Sequence, residues 1–332
     1  MEVGVSAVGE ARMDMIAVTG ADGFVGAALC EHLRAARRHF RGIVRRVTPG
    51  TAGRAEYLAV GDLARADDIT LDRAVEGMRA IVHLAGRAHV MREHAPDPAA
   101  AYHAANVVAS ERLMRAALRR GVERFIYVST IKVLGETSPP GRPLRDDDPP
   151  MPDDVYAQSK WETERALAAL ADGSRLALTV LRPPLVYGPH VRGNFLELWR
   201  SVARGVPLPL GLIGNRRQLL YVGNLAHAIV ALVDVTPPAP GAFVIADLEA
   251  VSTPDLARRM AGVLGRRPLL LPVPAPLLAM AATATGRGAV ASRVLGSLEI
   301  DASALAARIG PLPFSLDDGL AATAAWWRES KV

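Results

Sequence analysis

The chain has 332 residues, half of them hydrophobic, a single cysteine (Cys30) and a formal net charge of +5. That composition excludes a disulfide framework and leaves ample apolar material for one large domain or two closely joined ones, in a reducing, cytoplasmic setting. The basic excess is arginine, read here as solvated helix faces spread along the chain rather than as a nucleic-acid surface.

Residues 1–12 hold two glutamates and no apolar core. They read as a disordered extension rather than a signal peptide, with Met13 or Met15 as alternative starts. Met15-Ile16-Ala17-Val18 is a strand. It runs into Thr19-Gly20-Ala21-Asp22-Gly23-Phe24-Val25-Gly26 and then a helical pattern from Ala27 to Arg37. A glycine-rich turn between strand and helix is a nucleotide-binding context. Gly20 allows the tight turn, Gly23 lets a pyrophosphate approach, and Gly26 lets helix and strand pack closely. Asp22, Phe24 and Val25 complete the turn as candidate cofactor contacts. The free N–H groups and the positive helix end would face the phosphates. The spacing is GxxGxxG, not the GxGxxG of many dehydrogenases.

Phe40 to Val44 is a second strand ending at Arg45-Arg46. In nicotinamide-binding folds an acid at this place holds the ribose 2′-OH, whereas arginine accommodates a 2′-phosphate. The two arginines favour NADP(H) over NAD(H). Glu56 to Val60 is a third strand leading to Gly61-Asp62-Leu63, where a carboxylate suits an adenine amino group. Ala80 to Leu84 is a fourth, and Leu84, Ala85 and Gly86 are small or apolar enough to lie along a cofactor. Strands alternating with helices at this spacing predict a doubly wound parallel sheet.

Pro98 to Arg120 reads as one long amphipathic helix stopped by Gly121, with Asn106 buried inside it and needing partners. Glu123 to Ser129 is a fifth strand ending in Ser129-Thr130. The proline-rich acidic stretch 135–154 has no period and suits a lid or binding element. Tyr156-Ala157-Gln158-Ser159-Lys160 opens a helix to about Ala171, with Tyr156 and Lys160 on one face. A nearby ammonium would draw the tyrosine pKa down toward working pH, and Thr130 would share the same oxygen. Leu176 to Leu181 is a sixth strand, ended by Pro183-Pro184, where a substrate-binding part begins. Asn194 opens a helix to Arg204. Asn224 is expected to cap another, Ala242 to Ala246 to close the sheet, and Thr253 to cap a helix to Leu264. Trp326-Trp327 in the final helix, Leu316 to Glu329, read as docking groups. The scattered histidines lack metal spacing. The most apolar late run, Leu269 to Ala282, is broken by Pro272, Pro274 and Pro276, so no membrane span is expected.

Together these residues resemble the extended short-chain dehydrogenase/reductase family over about residues 15–329. The resemblance rests on TGADGFVG at 19–26, GDL at 61–63, HLAG at 83–86, Asn106, VSTIKVLGE at 128–136, YAQSK at 156–160 and LRPPLVYGP at 181–189. The subgroup is similar to nucleotide-sugar epimerases, dehydratases and 4-keto reductases, in the UDP-glucose 4-epimerase-like branch. The resemblance implies a Rossmann-type domain over 14–182 plus about 217–250. A smaller, mostly helical nucleotide-sugar domain would span 183–216 and 251–330, with a UDP-sugar as substrate and a homodimer as one assembly. It implies Thr130, Tyr156 and Lys160 as the catalytic set, with Tyr156, Lys160, Asn106 and Pro183 beside the cofactor. It also implies Asn194 and Arg217 at the substrate phosphates, with Arg293 the nearest match to a second phosphate arginine. Lys132, a candidate substrate contact that faces either the sugar or solvent, adds a charge two residues past Thr130 where dehydratases carry acids, which counts against dehydration. The paired arginines favour 4-keto reduction with NADPH; the alternative is C4 epimerisation on tightly held NAD. A non-catalytic NADP sensor on this fold would be expected to lack the Tyr/Lys pair.

Overall fold

The structure is a computed structural model that describes residues 15–88, 95–284 and 294–330. Its frame is a seven-stranded sheet in the order β10-β6-β5-β4-β1-β2-β3. In chain order the strands are β1 Ile16–Thr19, β2 Phe40–Val44, β3 Tyr57–Ala59, β4 Ala80–His83, β5 Arg124–Val128 and β6 Ala177–Arg182. Three two-residue strands follow outside the sheet, β7 Val186–Tyr187, β8 Arg217–Gln218 and β9 Leu220–Tyr221, before β10 Gly241–Val244 and a last short β11 Ala250–Val251. Every pairing in the large sheet is parallel. β1 lies between β2 and β4, so the winding reverses there and opens a crevice at the C-terminal ends of β1 and β4.

The strands are apolar on both faces because helices cover both. On one face α1 (Phe24–Ala35) and a later helix, Val222–Asp234, bury Leu29, Leu33, Leu225, Ile229 and Leu232 against Ile16, Val18 and Val82. On the other, α2 (Asp68–Val75), α3 (Pro98–Tyr102) with the continuing α4 (Ala109–Arg119), and α5 (Val155–Ala171) flank the sheet. There Leu71, Leu113, Met114 and Leu167 meet Ala17, Ile81, Phe125 and Tyr127. A third core, around Tyr187, Phe195, Trp199, Met260 and Leu320, is made by α6 (Gly193–Arg204), α8 (Thr253–Val263) and α11 (Leu316–Ser330). The Val222–Asp234 helix is α7, Ala275–Ala284 is α9 and Ser303–Ile309 is α10.

Several expectations change in detail. The 98–120 helix is not uniform: His103–Val108 is a π-helical turn set between α3 and α4. The insertion falls on Asn106, whose side chain bonds outside the helix, and such bulges concentrate at functional positions. Asn224 is not a cap. α7 starts two residues earlier behind Tyr221, and the Asn224 amide instead bonds the Asp247 carboxylate at 2.7 Å and the Phe314 carbonyl at 2.8 Å. The cap of α8 is Ser252, which accepts from the Asp255 N–H, rather than Thr253, whose N–H and hydroxyl bond Asn215. The stretch 135–154 is tied down rather than lid-like. Leu144 bridges to Ile300, and the Asp146 carboxylate accepts the Val244 N–H at 2.5 Å. Trp327 packs on the third core and Trp326 lies 5.2 Å from the His190 ring, as docking groups would. Cys30 is buried in the core, which pushes its thiol up to about 11.

Candidate active site

The glycine turn between β1 and α1 is a cradle that side chains would fill. Gly20 has φ of +65°, and a Cβ there would stand 2.9 Å from the Ala85 nitrogen. A Cβ on Gly26 would run into the Gly20 carbonyl oxygen. Gly23 is the N-cap of α1 with no side-chain cap, so the first N–H groups of the helix are left for another acceptor. Phe24 and Val25 point elsewhere, Phe24 into the third core and Val25 into the α1 face of the sheet. Asp22 is exposed at the rim. Across the crevice, Leu84, Ala85 and Gly86 leave the end of β4, and a Cβ on Gly86 would stand 2.9 Å from Asn106 Oδ1 and 3.9 Å from Lys160 Nζ. Arg45 and Arg46 are exposed just past β2. Asp62 is exposed and turns one oxygen back onto the Ala64 N–H at 3.0 Å, while Leu63 is buried below it.

Behind the cradle runs a buried hydrogen-bonded chain that sequence reasoning missed. Thr19 Oγ1 lies 2.6 Å from His83 Nδ1, and His83 Nε2 lies 2.8 Å from Ser110 Oγ, which donates to the Asn106 carbonyl at 2.5 Å. Because Ser110 gives its only proton to that carbonyl, it must accept from His83. The imidazole is therefore the neutral Nε2–H form, accepting from Thr19 at Nδ1. Burial pushes its pKa down to about 3, and the Lys160 charge acts the same way. Thr19 Oγ1 also accepts the Leu84 and Ala85 N–H groups, each at 3.2 Å. From Asn106 the chain continues: its amide donates to Ser159 Oγ at 2.8 Å and to the Arg87 carbonyl, and its oxygen accepts the Arg87 N–H at 2.7 Å. Ser159 then donates to the Tyr156 carbonyl at 2.8 Å. The sequence signals for this chain were Asn106, buried in a helix and needing partners, and a histidine at the end of a buried strand.

Thr130, Tyr156 and Lys160 come together at the C-terminal end of β5. Thr130 caps the turn Ile131–Val133, and the Tyr156 hydroxyl is hydrogen-bonded to the Thr130 side chain. The Ile131 N–H bonds the Pro183 carbonyl at 2.8 Å, which brings Pro183 beside Thr130. Lys160 is buried, donates to the Val128 carbonyl at 2.8 Å and lies 4.4 Å from the Tyr127 ring centre. Burial lowers its pKa to about 7 against the opposing charge of Glu164.

The expected lowering of the tyrosine pKa is not found in the cofactor-free chain. Burial, and then the Asp154 carboxylate, hold Tyr156 above its ordinary value, while the hydrogen bond to Thr130 pulls the other way. The Lys160 ammonium is turned to the Val128 carbonyl. Ser129, one residue before Thr130, has a buried hydroxyl without a hydrogen-bond partner. Together with the uncapped helix end and the two glycine contacts, it fits a site completed by a dinucleotide.

Lys132 is buried, but its ammonium is held by two carboxylates, Glu136 and Asp154, the latter at 2.6 Å. Asp154 also caps α5 by accepting the Ala157 N–H at 2.7 Å. Lys132 thus ties the start of the helix that carries Tyr156. The same ammonium pairs with two of the three carboxylates, Glu136, Asp153 and Asp154, that cluster within 4.8 Å of one another. Further along α5, Glu164 pairs with Arg182 at the end of β6 at 2.7 Å, both side chains buried. Arg217 is fixed by the Gly296 carbonyl at 2.9 Å and the Glu136 carbonyl at 3.3 Å, which joins it to the Lys132 side of the site. Asn194 is exposed in the first turn of α6, and Arg293 lies outside the described residues.

Residues 16–246 match the model of the NAD dependent epimerase/dehydratase family. The chain belongs to that family. A UDP-glucose 4-epimerase of Vibrio cholerae is 34% identical over 313 residues, covering 93% of this chain and 94% of its own. The structure of MoeE5 in complex with UDP-glucuronic acid and NAD superposes with a TM-score of 0.75 at 27% identity, covering 95% of this chain and 99% of that one. A UDP-glucuronic acid 4-epimerase from Bacillus cereus in complex with NAD shares the fold, with a TM-score of 0.76 at 20% identity over 96% of this chain and 100% of its own. Family membership makes this an NAD-dependent enzyme of the extended short-chain dehydrogenase/reductase type. That Vibrio cholerae relative carries the alternative, not the favoured one, of the two expected activities.

Proposed function

We propose that the protein is a C4-epimerase of a UDP-hexose or UDP-N-acetylhexosamine, working through a 4-keto sugar with NAD retained in the crevice. The observation that carries this reading is the Thr130–Tyr156–Lys160 set at the mouth of the glycine cradle, on a chain similar over nearly its full length to a UDP-glucose 4-epimerase. Gly20, Gly23, Gly26 and the α1 N-terminus would hold the pyrophosphate, and Gly86, Asn106 and Lys160 would line the nicotinamide end. NAD held there would supply the hydride acceptor and donor for C4. Tyr156 takes the C4 hydroxyl proton as the C–H bond breaks and gives it back after the keto sugar has turned. Thr130 holds the same oxygen, and Lys160 sets the protonation state of Tyr156. In this reading Arg217 binds the substrate diphosphate, and residues 183–216 and 251–330 form the sugar-nucleotide side. Native mass spectrometry of protein purified without added nucleotide should find NAD, and UDP-glucose should then give UDP-galactose, or the N-acetyl pair should interconvert, without added cofactor. Protein that arrives empty and turns over neither pair overturns the reading.

A second reading, 4-keto reduction with exchangeable NADPH, is favoured by Arg45 and Arg46, exposed where a 2′-phosphate would lie, with no acid between them and β2. It requires wild type to bind NADPH more tightly than NADH and Arg45→Ala/Arg46→Ala to lose most of that preference. Equal dissociation constants in wild type remove it.

A further inference from the structure

The arginine excess is not spread evenly along the chain. Residues 198–233 and 256–298 together contain ten arginines and no aspartate, glutamate or lysine, while the rest of the chain has 29 basic and 34 acidic residues. The two stretches meet in the fold. The extended arm at 206–212 is hydrogen-bonded to the arm at 269–274: Leu208 N–H to Leu269 O and Leu271 N–H to Leu208 O at 2.8 Å each, and Gly211 N–H to Leu271 O at 2.9 Å. α9, which has no charged residue, follows directly from the second arm.

This ridge is apolar and faces outward. Leu212 is 57% exposed, Leu269 51%, Leu271 41%, Leu277 53% and Met280 66%. Leu269 and Leu271 alternate with Leu270, which packs on the third core, so both point away from the protein. Leu277 and Met280 are three apart and share one face of α9. A single exposed leucine is ordinary, but a run of them on two paired arms and an adjoining helix marks an interaction surface. The cations sit at its edges. Arg204, Arg266 and Arg267 are exposed and have no carboxylate within salt-bridge distance among the described residues. Arg200, Arg216, Arg258 and Arg259, by contrast, pair with Glu197, Glu299, Asp255 and Glu249.

We infer that the arms 206–212 and 269–274 with α9 form a docking face for an anionic phospholipid surface, seating the protein on a bilayer without crossing it. Apolar side chains flanked by Arg204, Arg266 and Arg267 match the two layers of such a surface, acyl chains below and phosphates above. A neutral protein partner would use the leucines but leave the arginines unmatched. No described helix is long and apolar enough to span a membrane, so contact would be lateral and shallow. The arm at 206–212 leads directly to Arg216 and Arg217, so the face adjoins the proposed sugar-nucleotide side.

The test is sedimentation with vesicles of phosphatidylglycerol mixed with phosphatidylcholine, against vesicles of phosphatidylcholine alone. Wild type should sediment with the anionic vesicles, little with the neutral ones, and less as salt is raised. Leu277→Ser/Met280→Ser and Arg266→Glu/Arg267→Glu should each weaken binding by about tenfold or more, with melting temperature and NAD binding unchanged. If either variant fails to fold, Leu269→Ser/Leu271→Ser replaces it. Absence of binding to anionic vesicles, or binding untouched by the variants, overturns the inference. So does a wild-type dimer that Leu277→Ser/Met280→Ser splits into monomers without any lipid binding, since a second copy would then cover the face.

Discussion

The cradle side of the crevice and the arginine side are held by different physics. Around β1 and β4 the groups are fixed by backbone geometry and a chain of neutral, buried hydrogen bonds from Thr19 through His83 and Ser110 to Asn106 and Ser159. Around Lys132 and Arg217 they are fixed by charge: an ammonium between two carboxylates, and a guanidinium on carbonyls brought from residues 136 and 296. A neutral buried network resists pH and salt and fails only when a member is removed. A charged one adjusts with protonation and loses most when one partner is left alone. Tyr156 stands where the two meet, its backbone tied to the neutral chain through Ser159 and its hydroxyl facing the Asp154 charge.

The most severe way to break this junction is Tyr156→Phe, which should keep the fold and cofactor binding and lower turnover by about 10² to 10⁴. Rates within a few-fold of wild type would remove Tyr156 from the chemistry. Next, Lys132→Met leaves Glu136 and Asp154 unbalanced at the start of α5. It should destabilise the protein by about 2–3 kcal/mol, less than for a fully buried pair because Asp154 is a third exposed. It should also raise the pH needed for Tyr156 to ionise, since the carboxylate already opposing it loses its counterion. Denaturant unfolding and the pH–rate profile read the two effects, and an unchanged profile would mean that Asp154 does not act on the phenol.

Arg217→Ala probes the charged side alone. It should weaken UDP binding by roughly 1.5–3 kcal/mol, the worth of a hydrogen bond to a charged group, while leaving NAD binding as it is. Calorimetry showing unchanged UDP affinity would refute the assignment. The smallest effect is a slope. The unfolded chain keeps the Lys160 proton up to the ordinary value of 10.5, and the folded one only to about 7. Between those values the unfolded state binds more protons, so this group makes stability rise with pH, by at most about 1.4 kcal/mol per unit. The contribution is complete above the upper value and is lost as pH falls through 7. Cofactor-free wild type should therefore gain stability from pH 7 to 9 relative to Lys160→Met, and parallel curves would mean that Lys160 titrates normally.

Legibility followed the same divide. The glycine turn, Thr130, Tyr156 and Lys160 were readable because a parallel sheet puts every strand end at one edge, so motifs after strands converge whatever lies between them. Lys132 was noticed, but its partners were not, because Asp154 lies 22 residues on, across an aperiodic loop. His83 was set aside for lacking metal spacing, although its partners come from β1 and α4. Asp247 went unnoticed: it bonds Asn224, the Tyr221 N–H and the Tyr187 hydroxyl, and burial raises its pKa to about 6.

The sequence by itself determined the doubly wound sheet, the glycine turn after β1, and the placing of Tyr156 and Lys160 on one helix face, because strand alternation, glycine spacing and helical periodicity are local properties of the backbone. Only the tertiary structure decided the π-helical turn at Asn106, the neutral tautomer of His83, the pairing of Lys132 with Asp154 and Glu136, and the meeting of two acid-free stretches on one exposed ridge. Each of these depends on which groups are buried beside which. Burial sets both the cost of leaving a polar atom unpaired and the direction in which a charge shifts. Spacing along the chain does not contain that information.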